Sequence, residues 1–293
     1  METEKKLRLI PNPVHMYLRP HKKFPHIWCP GCSDGITAGS MIRAIDKLKI
    51  SRDELVMVSG IGCASRLPVY FDFCSLHTTH GRPIAFASGV KMANPKLKVV
   101  VVTGDGDATA IGGNHFIHAC RRNLDLTVIL FNNNVYGMTG GQYSPTTPKR
   151  AYAATAPYGN YEPSFNIPKL AIAAGATFVA RGTASNARQL ESLIAQALQH
   201  KGLALVEVLS ICPSVFSFYN KCGNGAQMLT QLKDTTITVE KANELRAKGE
   251  TVEKWEIGIL HKEENIDEFS AYYAEHAGKD RTPFSMHMST LDL

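Results

Sequence analysis

No apolar run in this chain approaches the ~18–20 residues that a membrane-spanning helix needs. The charged start Met1-Glu2-Thr3-Glu4-Lys5-Lys6 lacks the apolar core of a secretory signal, so a cytoplasmic protein without a membrane role is expected. No long period repeats and no low-complexity tract stands out, which argues against solenoids and arrays. Acid is in short supply: 26 Asp and Glu stand against 32 Lys and Arg, a formal charge of +6. The basic residues are scattered, as in Arg19–Lys23 and Lys149-Arg150, with no basic stripe interleaved with aromatics. Nucleic acid is therefore not an expected partner, whereas a small acidic one is. With 44% hydrophobic and 20% charged residues in 293, the composition suits one large α/β domain or such a domain with an appendage.

Two anchors carry most of the chemistry. Val99–Thr103 is a short run rich in β-branched residues and reads as a buried strand ending on Gly104-Asp105-Gly106. Ile111–Arg122 reads as a helix and Leu126–Phe131 as a second buried strand, ending on Asn132-Asn133-Asn134, twenty-six residues on from Gly106. The two turns should lie side by side at the carboxyl ends of neighbouring parallel strands, where α/β sheets bind ligands. Glycine permits a tight turn and close approach to an anion. Mg²⁺ takes about six oxygens, usually one or two from protein and the rest from phosphate and water. Asp105 and Asn133 can supply side-chain oxygens, and the Val135 carbonyl a third. A lone Gly-Asp-Gly is usually an ordinary turn; the second anchor makes it a diphosphate site.

Seven cysteines in a cytoplasmic chain are not expected to form a disulfide framework. Cys29-Pro30-Gly31-Cys32 is compatible with a redox dithiol, half a zinc site or two ligands of an iron–sulfur cluster, and alone does not decide. Cys63 follows the strand-like Leu55–Ser59 and Cys212 follows the strand-like Leu203–Leu209. Both are thus expected on the sheet edge that carries the diphosphate site. Cys74, Cys120 and Cys222 have no such company.

The stretch from Gly104-Asp105-Gly106-Asp107 through Ile111–His115, Arg121-Arg122-Asn123 and Asn133–Gln142 to Ser144–Pro148 resembles the β subunits of 2-oxoacid:ferredoxin oxidoreductases. With the cysteines, the resemblance covers roughly residues 25–215. It implies thiamine diphosphate held through Mg²⁺, with Gly62, Cys63, Gly104, Asp105, Gly106, Asp107, Ala108, Asn133, Val135, Tyr136, Gly137, Met138 and Thr139 around the cofactor. It implies one [4Fe-4S] cluster on Cys29, Cys32, Cys63 and Cys212, with four-thiolate zinc as the alternative. Arg66, three residues after Cys63, matches a basic residue associated with the 2-oxoacid, and a guanidinium can grip a carboxylate through two parallel bonds. His77, His80 and Arg82, in a His-x-x-His-Gly-Arg element, are implied near the cofactor and substrate.

The implied reaction is oxidative decarboxylation of a 2-oxoacid with coenzyme A to an acyl-coenzyme A, electrons leaving through the cluster to ferredoxin. A low-potential acceptor allows it to run backward and fix CO₂. The Tyr136–Gln142 version and Arg66 resemble the 2-oxoglutarate branch, with pyruvate and branched-chain 2-oxoacids as alternatives. A non-redox thiamine decarboxylase or synthase half is the rival class, with no use for four cysteines. A zinc-bound subunit without catalysis is the other.

The organisation expected is an N-terminal arm over residues 1–25, kept irregular by Pro11, Pro13, Pro20 and Pro25, then a thiamine diphosphate-binding domain over 26–215. Strand–helix alternation through the latter argues a doubly wound parallel sheet. Gly35–Lys49 is helical in pattern with Asp34 as N-cap, and Asn114, His115 and His118 sit on a helix whose N-terminus would point at the diphosphate. Residues 216–293 read as an extension that covers the site or contacts a partner, with a strand in Thr251–Leu260 and a polar helix in Glu263–His276. One sheet supplies only the diphosphate half of a thiamine site, so an obligate α subunit is expected to complete it.

Overall fold

The computed structural model describes residues 12–20 and 25–277. Its strands, in chain order, are β1 (Leu55–Ser59), β2 (Cys74–His77), β3 (Lys98–Gly104), β4 (Thr127–Asn132), β5 (Val135–Tyr136), β6 (Gln142–Tyr143), β7 (Phe178–Thr183), β8 (Ala204–Leu209), β9 (Thr236–Thr238) and β10 (Trp255–Lys262). Eight of them form one sheet in the order β2-β1-β3-β4-β8-β7-β10-β9, and β5 and β6 form a separate hairpin. Every pairing in the large sheet is parallel except β7 with β10.

The valine run of β3 explains its central place. Val100 and Val102 point into one core layer and Val99 and Val101 into the other, so both faces of the strand are buried. The first layer is covered by helices Asp34–Leu48 and Ala187–Gln199, the second by Pro83–Ala93, Gly113–Arg121 and Ile167–Ala173. Each valine buried this way contributes roughly 1.5–3 kcal/mol. The central strands therefore form a rigid base for the loops at their carboxyl ends.

Several elements differ from expectation. Pro13 starts a short helix, Pro13–Met16, because proline fits the first helical turn where its missing N–H is not needed; Asn12 caps it. The rest of the predicted arm, 1–11 and 21–24, lies outside the described residues. Asp34 is the first residue of its helix, not its cap; Ser33 occupies that place. The segment leading into the His-x-x-His-Gly-Arg element forms an edge strand, β2, exposed along its length. The expected late strand is β10, and the polar helix is Phe269–His276, capped by Glu268. Through β9 and β10 the segment after residue 216 joins the main sheet; residues 278–293 lie outside the described residues. No helix among the described residues is long and apolar enough to cross a membrane.

Candidate active site at the carboxyl edge of the sheet

The neighbouring strands β1, β3, β4 and β8 all run the same way, so the loops after them gather at one edge. A cavity of about 230 Å³ opens there. Gly62, Cys63 and Ala64 line it from the loop after β1, Gly104–Asp107 from the end of β3, and Asn133 and Val135–Thr139 from the loop after β4. Asp105–Thr109 is a five-residue helix capped by Gly104, where only a turn is expected from the sequence. It is this N-terminus that meets the cavity; Asn114, His115 and His118 on the next helix are not in its lining.

Asp105 is buried, and Ser144 and Thr146 both donate their hydroxyls to its Oδ2. Burial holds its carboxyl above the usual range, with those two hydroxyls pulling the other way. No Lys, Arg or His among the described residues lies at ion-pair distance from it. A buried carboxylate held by neutral donors and facing a cavity is a seat for a cation. Asn133 shares the cavity, its Oδ1 accepting from Val135 N at 3.2 Å. Asn134 takes the left-handed conformation at φ 63°, and Thr147 donates to its carbonyl at 2.7 Å, so the loop turns sharply.

Asp107 is a staple. Its Oδ1 accepts from Gly81 N at 2.7 Å and Ile61 N at 3.3 Å, and its Oδ2 from the Thr103 hydroxyl at 2.7 Å. A β-carbon on Gly60 would sit 2.0 Å from Oδ2, so glycine is required where that loop crosses the carboxylate. His80 Nδ1 stands 2.7 Å from Oδ1, out of line for a straight hydrogen bond, and its ring packs edge-on to Tyr136 at 6.0 Å. Burial first, and then the Asp105 and Asp107 carboxylates, push the Tyr136 phenol up to about 12, so it stays protonated.

A second cavity, of about 330 Å³, lies beside the first and shares Cys63, Asn133, Gly137 and Met138 with it. Cys29, Cys32, Cys63 and Cys212 all line it, together with Trp28 and Arg66. All four are free thiols. Burial pushes the Cys63 thiol up to about 12 and Cys32 higher still, with the Asp34 carboxylate next in effect on both. Asp34 is buried, and burial lifts it to about 7 against the opposing pull of the neighbouring Cys32 thiol. Trp28 fixes the Cys63 loop by donating its indole N–H to the Cys63 carbonyl at 2.8 Å. Ser33 Oγ accepts from Ile211 N at 2.9 Å, tying the Cys32 and Cys212 loops together. No three His, Cys, Asp or Glu side chains among the described residues converge on a single-ion position.

Residues 60–208 match the family of thiamine pyrophosphate enzymes through its C-terminal TPP binding domain. The 2-oxoglutarate synthase subunit KorB of Methanocaldococcus jannaschii is 52% identical over 234 residues, 80% of this chain and 86% of that protein. The chain belongs to the 2-oxoacid:ferredoxin oxidoreductase β-subunit family. KorB of Archaeoglobus fulgidus is 58% identical over 198 residues, 68% of this chain and 73% of that one. Among solved structures, the 2-oxoglutarate:ferredoxin oxidoreductase of Magnetococcus marinus, with 2-oxoglutarate, coenzyme A and succinyl-CoA bound, superposes with a TM-score of 0.79. It is 32% identical, covering 94% of this chain and 95% of that one.

Within this β-subunit fold, the residues expected around the cofactor line the first cavity except Ala108, which is buried behind it. Of the four basic residues, His80 lines the first cavity and Arg66 the second. His77 and Arg82 are in neither lining. His77 Nδ1 lies 3.0 Å from Ser59 Oγ at the end of β2, and Arg82 donates to the carbonyls of Ile111 at 3.0 Å and Gly81 at 3.4 Å. His77 is thus taken up by a side chain of β1, and Arg82 by backbone carbonyls beside the site. Ser144 and Thr146 fall in the Ser144–Pro148 stretch of the resemblance, close to forty residues beyond Asp105, but like Trp28 carry no signal of a role there; only the tertiary fold brings them in.

Proposed function

We propose that this chain is the β subunit of a 2-oxoglutarate:ferredoxin oxidoreductase, converting 2-oxoglutarate and coenzyme A to succinyl-CoA and CO₂ while reducing ferredoxin. The observation that carries this reading is the shared wall: a cavity edged by Asp105, Asn133 and Val135 abuts one lined by four thiols, through Cys63, Asn133, Gly137 and Met138. Asp105, Asn133 and the Val135 carbonyl would hold Mg²⁺; Gly104, where a β-carbon would meet open space, leaves room for a diphosphate on the helix that starts at Asp105, while Gly106 admits the Tyr136 ring. Four thiols spread around a cavity of about 330 Å³ suit a [4Fe-4S] cluster. A single zinc instead needs its sulfurs about 2.3 Å from one centre.

When bound, thiamine diphosphate supplies the electron sink for decarboxylation and the cluster the route by which electrons leave. The chain's own residues orient and stabilise. His80 lines the cavity with its Nδ1 2.7 Å from the Asp107 carboxylate, which keeps the ring beside the proposed cofactor. Protonated Tyr136 presents an O–H, currently donated to the Gly106 carbonyl at 3.3 Å. Arg66 is the proposed grip on a substrate carboxylate. An α subunit completes the thiamine site, because a single sheet offers only the diphosphate half. The similar proteins named for 2-oxoglutarate support the substrate assignment over pyruvate. Ferredoxin as partner lets the site run toward carboxylation as well.

Anaerobic co-purification with the partner subunit, followed by viologen reduction across several 2-oxoacids with coenzyme A, tests the proposal. The expected result is a brown complex with about four irons per β chain and the highest kcat/KM on 2-oxoglutarate. Pyruvate outpacing 2-oxoglutarate by about tenfold, a difference of about 1.4 kcal/mol in transition-state binding, overturns the substrate assignment.

A further inference from the structure

Glu207 stands in the middle of β8 and is buried to 1% exposure, on the sheet face where Leu205 packs in the core. An aliphatic residue would serve packing there, and a buried carboxylate is costly unless every oxygen is used. Both are used. Arg181, its neighbour across the β7–β8 pairing, donates from Nε to Oε2 at 2.6 Å. Asn132, the last residue of β4, donates from Nδ2 to Oε1 at 2.8 Å. Asn132 in turn accepts from Asn134 N on its Oδ1 at 3.3 Å, and its carbonyl accepts from Ser210 N at 2.8 Å. Asn132 is thus clamped between the sheet core and the sharp turn that presents Asn133. Arg181 is held from behind by Asn166 Oδ1 at 3.4 Å and the Glu256 carbonyl at 3.5 Å, with the Trp255 ring 4.8 Å from its guanidinium carbon.

We propose that Glu207 is a positioning residue for the metal-binding loop, fixing Asn133 through Asn132, with Arg181 as its counter-charge and β10 as the outer brace. This inference rests on the reading of Asn133 as a Mg²⁺ ligand. It also gives the segment after residue 216 a part in the site: β10 backs the arginine that balances the carboxylate.

Bond polarity makes the link testable. Both partners of Glu207 donate, so in E207Q one amide end opposes a donor. In N132D two acceptors oppose each other. Combining N132D with E207Q reverses the bond: the new amide donates to the new carboxylate while its oxygen still accepts from Arg181. The two single changes alter local charge in opposite directions, so weaker Mg²⁺ binding in both reads geometry and not charge.

The measurement is the Mg²⁺ concentration giving half-saturation of thiamine diphosphate binding, followed by circular dichroism, in the complete complex depleted of cofactor. Melting temperature and iron content are recorded alongside. Each single variant is expected to raise the half-saturation about tenfold, the double to return within threefold of wild type, and iron content to stay constant. Single variants that lower the melting temperature but shift half-saturation less than threefold overturn the proposal, making Glu207 a stabiliser of the sheet alone. So does a double variant no better than the singles. If E207Q does not fold, N132D, which leaves the Arg181 pair intact, carries the comparison with the double. N133A separates the two layers of the argument: a wild-type Mg²⁺ response there removes the ligand reading itself, and the link with it.

Discussion

Replacing Asp107 tests whether one carboxylate holds the site's loops together. Its oxygens collect three donors from three places in the chain: Gly81 N, Ile61 N and the Thr103 hydroxyl. In Asp107→Ala the Gly81 N–H is left buried without an acceptor, costing about 1–3 kcal/mol. The Ile61 N–H is nearer solvent and the Thr103 hydroxyl can turn elsewhere, so each adds about 0.5–1.5 kcal/mol, for a total of roughly 2–6 kcal/mol. Asp107→Asn behaves differently, because a threonine hydroxyl can accept as well as donate. The amide N–H₂ settles against Thr103 while its oxygen keeps Gly81 and Ile61, at a loss of about 1 kcal/mol. At about 2–4 °C per kcal/mol for a chain of this size, calorimetry should show Asp107→Ala melting roughly 4–24 °C lower and Asp107→Asn about 2–4 °C lower. The alanine variant should also lose thiamine diphosphate affinity, since His80 and the Cys63 loop are released with it. If Asp107→Asn falls as far as Asp107→Ala, the charge beside His80 matters more than acceptor geometry, and the staple argument fails.

Serine in place of Cys29, Cys32, Cys63 or Cys212 should strip iron from the anaerobically purified complex, whereas Cys74→Ser and Cys222→Ser should leave iron content unchanged; equal loss in both sets contradicts the assignment. Arg66→Ala should raise KM for 2-oxoglutarate by about 10–150-fold, the loss of a charged hydrogen bond worth about 1.5–3 kcal/mol, with iron retained. Iron loss in that variant would instead tie Arg66 to the thiol cavity it lines. Burial raises the Asp105 pKa in the fold, so the folded state favours the protonated carboxyl: that contribution is whole below the unfolded value of 3.8 and is lost as pH rises through the folded one. Metal-free wild type therefore carries a penalty at pH 7 that Asp105→Asn removes, so the variant should melt higher without Mg²⁺ and show no further rise with it. Identical melting of the two without Mg²⁺ counts against this.

The strands and the two turns were legible because each rests on a local signal, a β-branched run or a turn; the Cys29–Cys32 spacing is local too, but Cys63 and Cys212 joined it only through the family resemblance. Val99–Val102, short and wholly β-branched, reads as a doubly buried strand, and Gly104 and Asn132 then fall at its end and its neighbour's. What was not legible depends on contacts far apart in sequence. The first-cavity helix Asp105–Thr109 is too short to show periodicity. His77 and Arg82 carry suitable chemistry, yet Ser59 and the Ile111 carbonyl claim them. Ser144 and Thr146 look like ordinary loop hydroxyls until the fold turns both onto Asp105. Glu207 sits amid Ala204–Leu209, where the pattern announces only a buried strand and says nothing of a carboxylate with two donors.

Gly137 is where the two halves of the proposed chemistry meet. It lines both cavities. A β-carbon there would lie 3.5 Å from Cys63 Sγ and 3.6 Å from Cys212 Sγ, ordinary van der Waals contact, and its backbone is not in the left-handed region. The chain alone therefore does not demand glycine at this point, unlike Gly60, whose β-carbon would strike Asp107. A demand arises once thiols turn outward onto a larger body, because a methyl group would then compete for the space between the sulfurs. It arises equally on the other side, where the loop from Asn133 to Thr139 would pass close to a diphosphate held through a cation on Asp105. A bare backbone wall between an electron source and its acceptor keeps the two as near as packing permits. That is the physical reason to expect both proposed groups on one chain, with the proposed α subunit completing the thiamine site.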